Sequence, residues 1–367
     1  MEFTFSDEQR AMRDAVSELV QRETPIAVIR EHLETAQPAG NQLWSVISQL
    51  GWQGLLVPTQ FGGIGSGPIV AVAVAEVLGA TLHGGPMLAA GMLAPWALVE
   101  LDATSLLSSI IDDARRCTVA FEEAGAADPV DRISTMATGR GNDYRLNGVK
   151  VAVIDGHLSD SLIVSARSRE GVRAFLVDPG DAELRYTPSL DLTRKTATLR
   201  FVDTPARPIG CDGDQTSQWR RINAFGALLL AAEMVGVAAS AHTLALQYAT
   251  TREVFGKPLS KFQVTRHKAV DVLREIELAR VGVHAAAWQW SQGFDSKTAS
   301  AISMAKSFSG EAANHSAAEC IQIHGAMGYT WDCDAHLFLR RAKTNDILFG
   351  TQSWHRNQVA DRYLASL

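Results

Sequence analysis

Between Arg252 and Gln263 the chain reads R-E-V-F-G-K-P-L-S-K-F-Q, and three of its side chains are of types that do chemistry together. Arg252 carries a planar guanidinium fork that matches phosphate or carboxylate oxygens. Phe255 adds an aromatic face, and Gln263 an amide that both donates and accepts. Each also has a plain structural use, as a solvated arginine, a ring plugging a helix corner and a surface amide. A second stretch, Gln322-Ile323-His324-Gly325-Ala326-Met327-Gly328-Tyr329, brings an amide next to Gly325 and Gly328, where backbone can approach a ligand closely. His324 within it reads as a satisfied helix-end histidine rather than a catalytic one. Gly63, Gly65 and Gly67 hint at a phosphate loop, but no Lys-Ser/Thr follows and no βαβ pattern surrounds them. Cys117, Cys211, Cys320 and Cys333 have no C-x-x-C spacing, which speaks against zinc or a disulfide framework and fits a reducing cytoplasm.

The elements that must position these residues follow from apolar periodicity. Residues 222–250 carry Leu229, Ala232, Val235, Ala239, His242 and Leu246 at three-and-four spacing, predicting one face of a long helix. Val270, Leu273, Ile276, Val283, Ala287 and Trp290 predict a second, with Gly256 and Pro258 breaking the chain between them. Ser6 followed by Gln9 forms a capping-box pattern that opens a helix reaching about Arg22. Further helices are expected over Leu43–Leu50, ending at Gly51, and over residues 68–80 and 87–101. From Cys117 the period changes to two. Segments 117–121, 133–139, 143–153, 160–167, 172–177 and 196–202 read as strands, with Asn147-Gly148 marking a turn or bulge. Strands this closely spaced make an antiparallel sheet or small barrel, not a doubly wound fold. Helical patterning returns after Pro208.

A chain of 367 residues should divide into two or three units, and with 46% hydrophobic and 20% charged residues it has an ordinary globular composition. A net charge of −6 gives no electrostatic reason to expect nucleic acid. The amino terminus lacks the basic and apolar regions of a signal peptide, and no uninterrupted apolar run is long enough for a membrane span. The expected location is the cytoplasm.

The R-x-x-F-G turn followed by a glutamine eight residues after the phenylalanine, with the Gln322 segment, resembles the acyl-CoA dehydrogenase flavoproteins over essentially the whole chain. The stretch from Gly51 to Gly67 looks like that family's helix-to-helix connector, and Asp334–Lys343, with Arg340 and Arg341, like the lead-in to its catalytic loop. The resemblance implies an α+β, mostly α fold: an N-terminal helical domain (1–115), a central antiparallel β-barrel domain (116–207) and a C-terminal four-helix bundle (208–367). It implies FAD as cofactor and no metal. In the family the turn crosses a subunit boundary, so Arg252, Phe255, Gln263, Gln322 and Gly325 are expected to hold the adenine and pyrophosphate half of a neighbour's FAD.

Where the family keeps its catalytic base, this sequence departs. A carboxylate there removes the α-proton of an acyl-CoA, from a loop near the carboxyl terminus or from the first long helix of the bundle. Aligned through Ile347-Leu348-Phe349-Gly350-Thr351, the first position holds Phe349; counted back from Phe255, the second holds Gly226. Neither accepts a proton. Asp346 lies three residues before Phe349. Glu233 lies two turns from Gly226, about 10 Å along a helix, too far for a base, and reads as a helix carboxylate paired elsewhere. Ala224 and Ala227 replace the D-x-x-R near the CoA arm. Glu122-Glu123-Ala124-Gly125-Ala126-Ala127-Asp128 replaces the flavin-facing E-P-G-A-G-S-D, and Ala152-Val153-Ile154-Asp155-Gly156 replaces W-I-T-N-G.

The flavin-ring and substrate half is thus altered while the half offered to a neighbour is largely kept, with Ala326 where the family has a second glycine. The expectation is a base-lacking subunit of a heteromeric, α2β2 acyl-CoA dehydrogenase, similar to actinobacterial enzymes acting on bulky steroid side-chain thioesters, with the catalytic Glu on a homologous partner. A homomeric enzyme with an unrecognised base and a flavin-free scaffold or acyl-CoA-binding homologue are the alternatives. The first separates on whether the chain alone is yellow and turns over an acyl-CoA, the second on an absorbance spectrum taken after co-expression with the neighbouring reading frame.

Overall fold

The structure, a computed structural model, describes residues 6–125 and 130–365; Ala126, Ala127 and Asp128 of the altered flavin-facing loop lie outside the described residues. The first helices are α1 (Asp7–Glu23), α2 (Ile26–Glu31), α3 (Trp44–Gln49), α4 (Pro68–Ala80), α5 (Ala94–Glu100) and α6 (Leu107–Asp112). The expected capping box opens α1: Ser6 Oγ accepts from the Gln9 amide while the Gln9 side chain accepts from the Ser6 amide. Gly51, at φ 71°, follows α3 in the left-handed conformation that stops a helix. The expected helix at 87–101 is in two parts, with a wider π-helical turn over Met87–Leu93 ahead of α5. In the connector, a Cβ on Gly63 would collide with the Val57 carbonyl, so that glycine serves packing and not phosphate binding.

Seven strands follow: β1 (Cys117–Ala120), β2 (Met136–Arg140), β3 (Asp143–Ile154), β4 (Ser161–Ser168), β5 (Gly171–Val177), β6 (Glu183–Tyr186) and β7 (Thr196–Ile209). Their order is β1-β4-β2-β3-β7-β5, and β5 pairs back onto β4, closing a barrel with β6 added outside β7. Most ladders are antiparallel, as alternation predicts. The edge strand β1, however, runs parallel to β4. The Asn147-Gly148 signal is a bulge, where the register of β3 against β7 shifts between Leu146 and Gly148. Period-two reading did not find β6, a short strand with no buried residue.

The carboxyl-terminal bundle contains α7 (Thr216–Thr251), α8 (Gln263–Gln292), α9 (Ser296–His324), α10 (Ala335–Ile347) and α11 (Gln352–Leu364). Between α7 and α8 lies a hairpin of β8 (Glu253–Val254) and β9 (Lys257–Pro258). α7 is long and apolar enough on average to cross a membrane, although Glu233 interrupts its apolar run, and 89% of its apolar window is buried in the fold. Nor does it present a single face. Residues 225–238 are buried throughout, because α4, α8, α9 and α10 all pack against it. Two glycines allow the closest crossing. A Cβ on Gly79 of α4 would strike the Glu233 carbonyl, and one on Gly236 of α7 the Glu76 carbonyl. On α8, Ile276, Val283, Ala287 and Trp290 are buried as expected, while Val270 and Leu273 are exposed on another side.

Candidate functional site

Four of the five candidate contact residues flank two junctions at one end of the bundle. Tyr248, one turn before Arg252, stacks on His324 with ring centroids 4.3 Å apart, so the end of α7 meets the end of α9. Lys268 of α8 bonds Glu319 of α9 at 2.9 Å, bringing the start of α8 to the same end. Arg252, Gln263, Gln322 and Gly325 are all exposed there. The Arg252 guanidinium makes no hydrogen bond or ion pair among the described residues. Gln263 Nε2 lies 3.5 Å from His267 Nε2. Gly325 caps α9 at φ 64°, a left-handed turn that suits glycine.

Phe255 forms the tip of this end. With φ 53° at Phe255 and 76° at Gly256, the two-residue loop of the hairpin has the left-handed pair that defines a type I′ turn. A β-carbon makes that conformation costly, and Phe255 is nevertheless 93% exposed. It plugs no helix corner. Other members of the segment have internal roles: His324 is buried with Nδ1 2.7 Å from the Cys320 carbonyl, and a Cβ on buried Gly328 would fall 2.8 Å from the Ile321 carbonyl. Gly328 therefore answers to packing within the chain.

The two positions expected to lack a base touch each other. A Cβ on Gly226 would lie 2.5 Å from the Phe349 ring, so the absence of a side chain on α7 is what admits that ring. Phe349 is buried at φ 56° and held at both backbone ends. Its N–H donates to Glu122 Oε1 at 2.7 Å, and its carbonyl accepts from His355 Nε2 at 3.0 Å. Lys306 Nζ donates to the Asn345 carbonyl at 2.7 Å, anchoring the same loop. Behind the ring only about 10 Å³ remains free, between Leu93, Phe121, Val153, Ile154 and Leu348. Outside it, Glu122, Ala152, Gly350, Thr351 and Trp354 line a cleft of about 590 Å³. Burial raises the Glu122 pKa above the usual carboxylate range, opposed by its bond to the Phe349 amide. Burial also lowers the Lys306 ammonium to about 8 and His355 to about 3, so His355 is neutral.

Glu233 is paired elsewhere, as expected. Its carboxylate is fully buried and accepts from Arg194 at 2.5 and 2.6 Å, Arg341 at 2.8 Å and Asn345 at 2.9 Å. Arg341 also bonds Asp191 and Thr193, both at 2.5 Å, and the Leu82 and His83 carbonyls. Two cations and two anions thus join the turn after α4, the loop before β7, α7 and α10 in one buried network, and the Arg341 of the lead-in segment belongs to it. Sequence reasoning singled out neither Arg194 nor Asp191. They sit in an irregular loop with no period to place them.

The acyl-CoA dehydrogenase N-terminal domain family matches residues 6–101, and the acyl-CoA dehydrogenase C-terminal domain family matches residues 220–364. The probable acyl-CoA dehydrogenase YngJ of Bacillus subtilis (strain 168) is 28% identical, over 99% of this chain and 100% of its own length. The fold is similar to the ChsE4-ChsE5 complex from Mycobacterium tuberculosis, with a TM-score of 0.87, 24% identity and full coverage of both chains. It is similar also to the Tcur3481-Tcur3483 steroid ACAD, with a TM-score of 0.87, 25% identity and 98% of each chain covered.

Proposed function

The chain belongs to the acyl-CoA dehydrogenase family, whose cofactor is FAD, and from that premise we propose that it is the base-lacking subunit of a heteromeric acyl-CoA dehydrogenase. FAD, when bound, takes up the hydride of α,β-desaturation. Arg252, Phe255, Gln263, Gln322 and Gly325 contribute to the adenine and pyrophosphate half of an FAD held chiefly by a homologous partner, and that partner carries the catalytic Glu of an α2β2 assembly. The observation that carries the reading is the Phe349–Gly226 contact: the two base positions are spent on packing against one another. Their neighbourhood offers a flavin ring Ala152 and Ile154 instead of an aromatic and a hydroxyl. At the bundle end, by contrast, an uncommitted guanidinium, two exposed amides and an outward aromatic ring suit a phosphate-bearing dinucleotide. The similarity to the two heteromeric complexes supports a homologous partner. A bulky steroid side-chain thioester as substrate is supported by the steroid enzyme alone.

The test is Arg252→Ala in the co-purified complex. Loss of a charge-assisted contact should cost about 1.5–3 kcal/mol of FAD binding, roughly ten- to more than a hundredfold in affinity. Gln322→Ala should cost less, because its contact is neutral. Unchanged affinity and turnover in Arg252→Ala would sink the cross-subunit role and favour a scaffold. One observation favours a second reading, a homomeric enzyme: half-buried Glu122, with its raised proton affinity, lines the cleft beside Phe349. If Glu122 is that base, the isolated chain is yellow and turns over an acyl-CoA, and Glu122→Gln abolishes the turnover. An inactive isolated chain removes this reading.

A further inference from the structure

Two carbonyls of the Phe349 loop are bonded back into the bundle, that of Phe349 by His355 and that of Gly350 by Lys306. The Phe349 N–H goes the other way. It crosses to the barrel domain and donates to Glu122 Oε1 at 2.7 Å. A backbone N–H at the edge of a cleft must find an acceptor, and the carbonyl or carboxylate oxygen of a ligand would serve as well as one from the protein. Here the chain supplies its own.

Glu122 is aimed at that N–H by its neighbours. Phe121 stacks on Trp219 with ring centroids 5.4 Å apart, and its carbonyl accepts from Lys150. The Glu123 carboxylate turns into the barrel, where Lys150, Ser134 and Thr135 all donate to it. The Glu122 carbonyl accepts from the Val151 amide of β3 at 2.9 Å. With the main chain pinned on both sides, the Glu122 side chain leaves the barrel toward the bundle. There it borders two spaces at once, together with Val151, Ala152 and Leu348: the cleft of about 590 Å³ and the gap of about 10 Å³ behind the Phe349 ring. The carboxylate thus stands between the open cleft and the interior.

We infer that Glu122 is an autoinhibitory plug: its carboxylate occupies the oxygen-binding position at the Phe349 N–H and closes this chain's own cleft to carbonyl-bearing acyl compounds. The inference rests on the base-lacking reading, since a cleft that carries out no desaturation gains nothing from an open oxygen position. It assigns Glu122 the opposite role to that of a base, because a plug excludes the compound that a base would act on.

Octanoyl-CoA and S-octyl-CoA, identical but for the thioester carbonyl, probe the position on the purified full-length chain. Isothermal titration calorimetry should find no preference between them in the wild type. Glu122→Ala and the more polar Glu122→Ser are both too short to reach the amide, and should favour the thioester roughly three- to tenfold, the scale of one net hydrogen bond. Glu122→Gln still presents an oxygen to the same N–H and should show no preference. Hydrogen exchange in the peptide spanning residues 347–352 gives an independent readout. It should be slow in the wild type and in Glu122→Gln, faster in the two short variants, and slowed again in those by octanoyl-CoA but not by S-octyl-CoA. Circular dichroism melts check that the variants fold. Short variants without a preference, or a Glu122→Gln chain that opens as they do, overturn the plug alone and leave the base-lacking reading intact. A wild type that already favours the thioester and turns it over defeats both.

Discussion

Asp155 shows at the scale of one residue how far this interior departs from water. Its carboxylate is buried, neither oxygen has a hydrogen-bond partner among the described residues, and burial lifts its pKa to about 7 despite the attraction of Arg194, Arg116 and Arg341. The unfolded chain would release that proton near pH 4. A group whose folded pKa is raised binds its proton more tightly in the native state. Its cost is therefore absent below about pH 4, grows as pH rises toward 7 and is complete above that. Asp155→Asn removes the titration and suits the left-handed backbone, φ 53°, at that position. Thermal melts should find the stability of the Asp155→Asn variant relative to wild type rising from pH 4 to pH 8. A difference independent of pH would mean that Asp155 is solvated.

At the scale of elements, the β8–β9 hairpin gives up local stability to present a ring to solvent. A β-carbon in the left-handed region costs roughly 1–2 kcal/mol, and asparagine before glycine is the preferred pair for a type I′ turn. Phe255→Asn should accordingly stabilise the isolated chain by about 1 kcal/mol and weaken its co-purification with a homologous partner. Opposite signs in the melting temperature and the yield of complex would mark Phe255 as an assembly residue. Loss of stability in the isolated chain would show that the ring packs internally. The Phe349 loop has the reverse logic. It is also left-handed, but Glu122, His355, Lys306 and the gap left by Gly226 hold it closed, so its conformation is stabilised from within.

For the whole molecule, a cofactor site divided between two chains sets a stoichiometry. If each FAD needs the flavin side of the partner and the adenine side of this chain, an α2β2 assembly carries two FAD. Cofactor released by denaturation, measured per tetramer by absorbance, should be near two. A value near four would mean that this chain also holds a flavin of its own, in the cleft beside Ala152 and Trp354.

Residue order alone determined the alternation of helical, strand and helical segments, because periods of 3.6 and 2 are local properties of the chain. It set the capping box of α1, an interruption of the strand at Gly148 and the break before α8 for the same reason. It also marked Phe349 and Gly226 as lacking a base. That the ring of one fills the space of the other required the packing of α7 against the loop between α10 and α11, residues more than a hundred positions apart. The parallel edge strand β1, the destination of Glu233 and the all-round burial of α7 were likewise decided by neighbours distant in sequence. For α8 the periodicity established that the helix is apolar, but period alone is blind to which of two apolar faces turns inward. Only the arrangement of α7 and α9 against it leaves Val270, Leu273, Leu278 and Val281 outside.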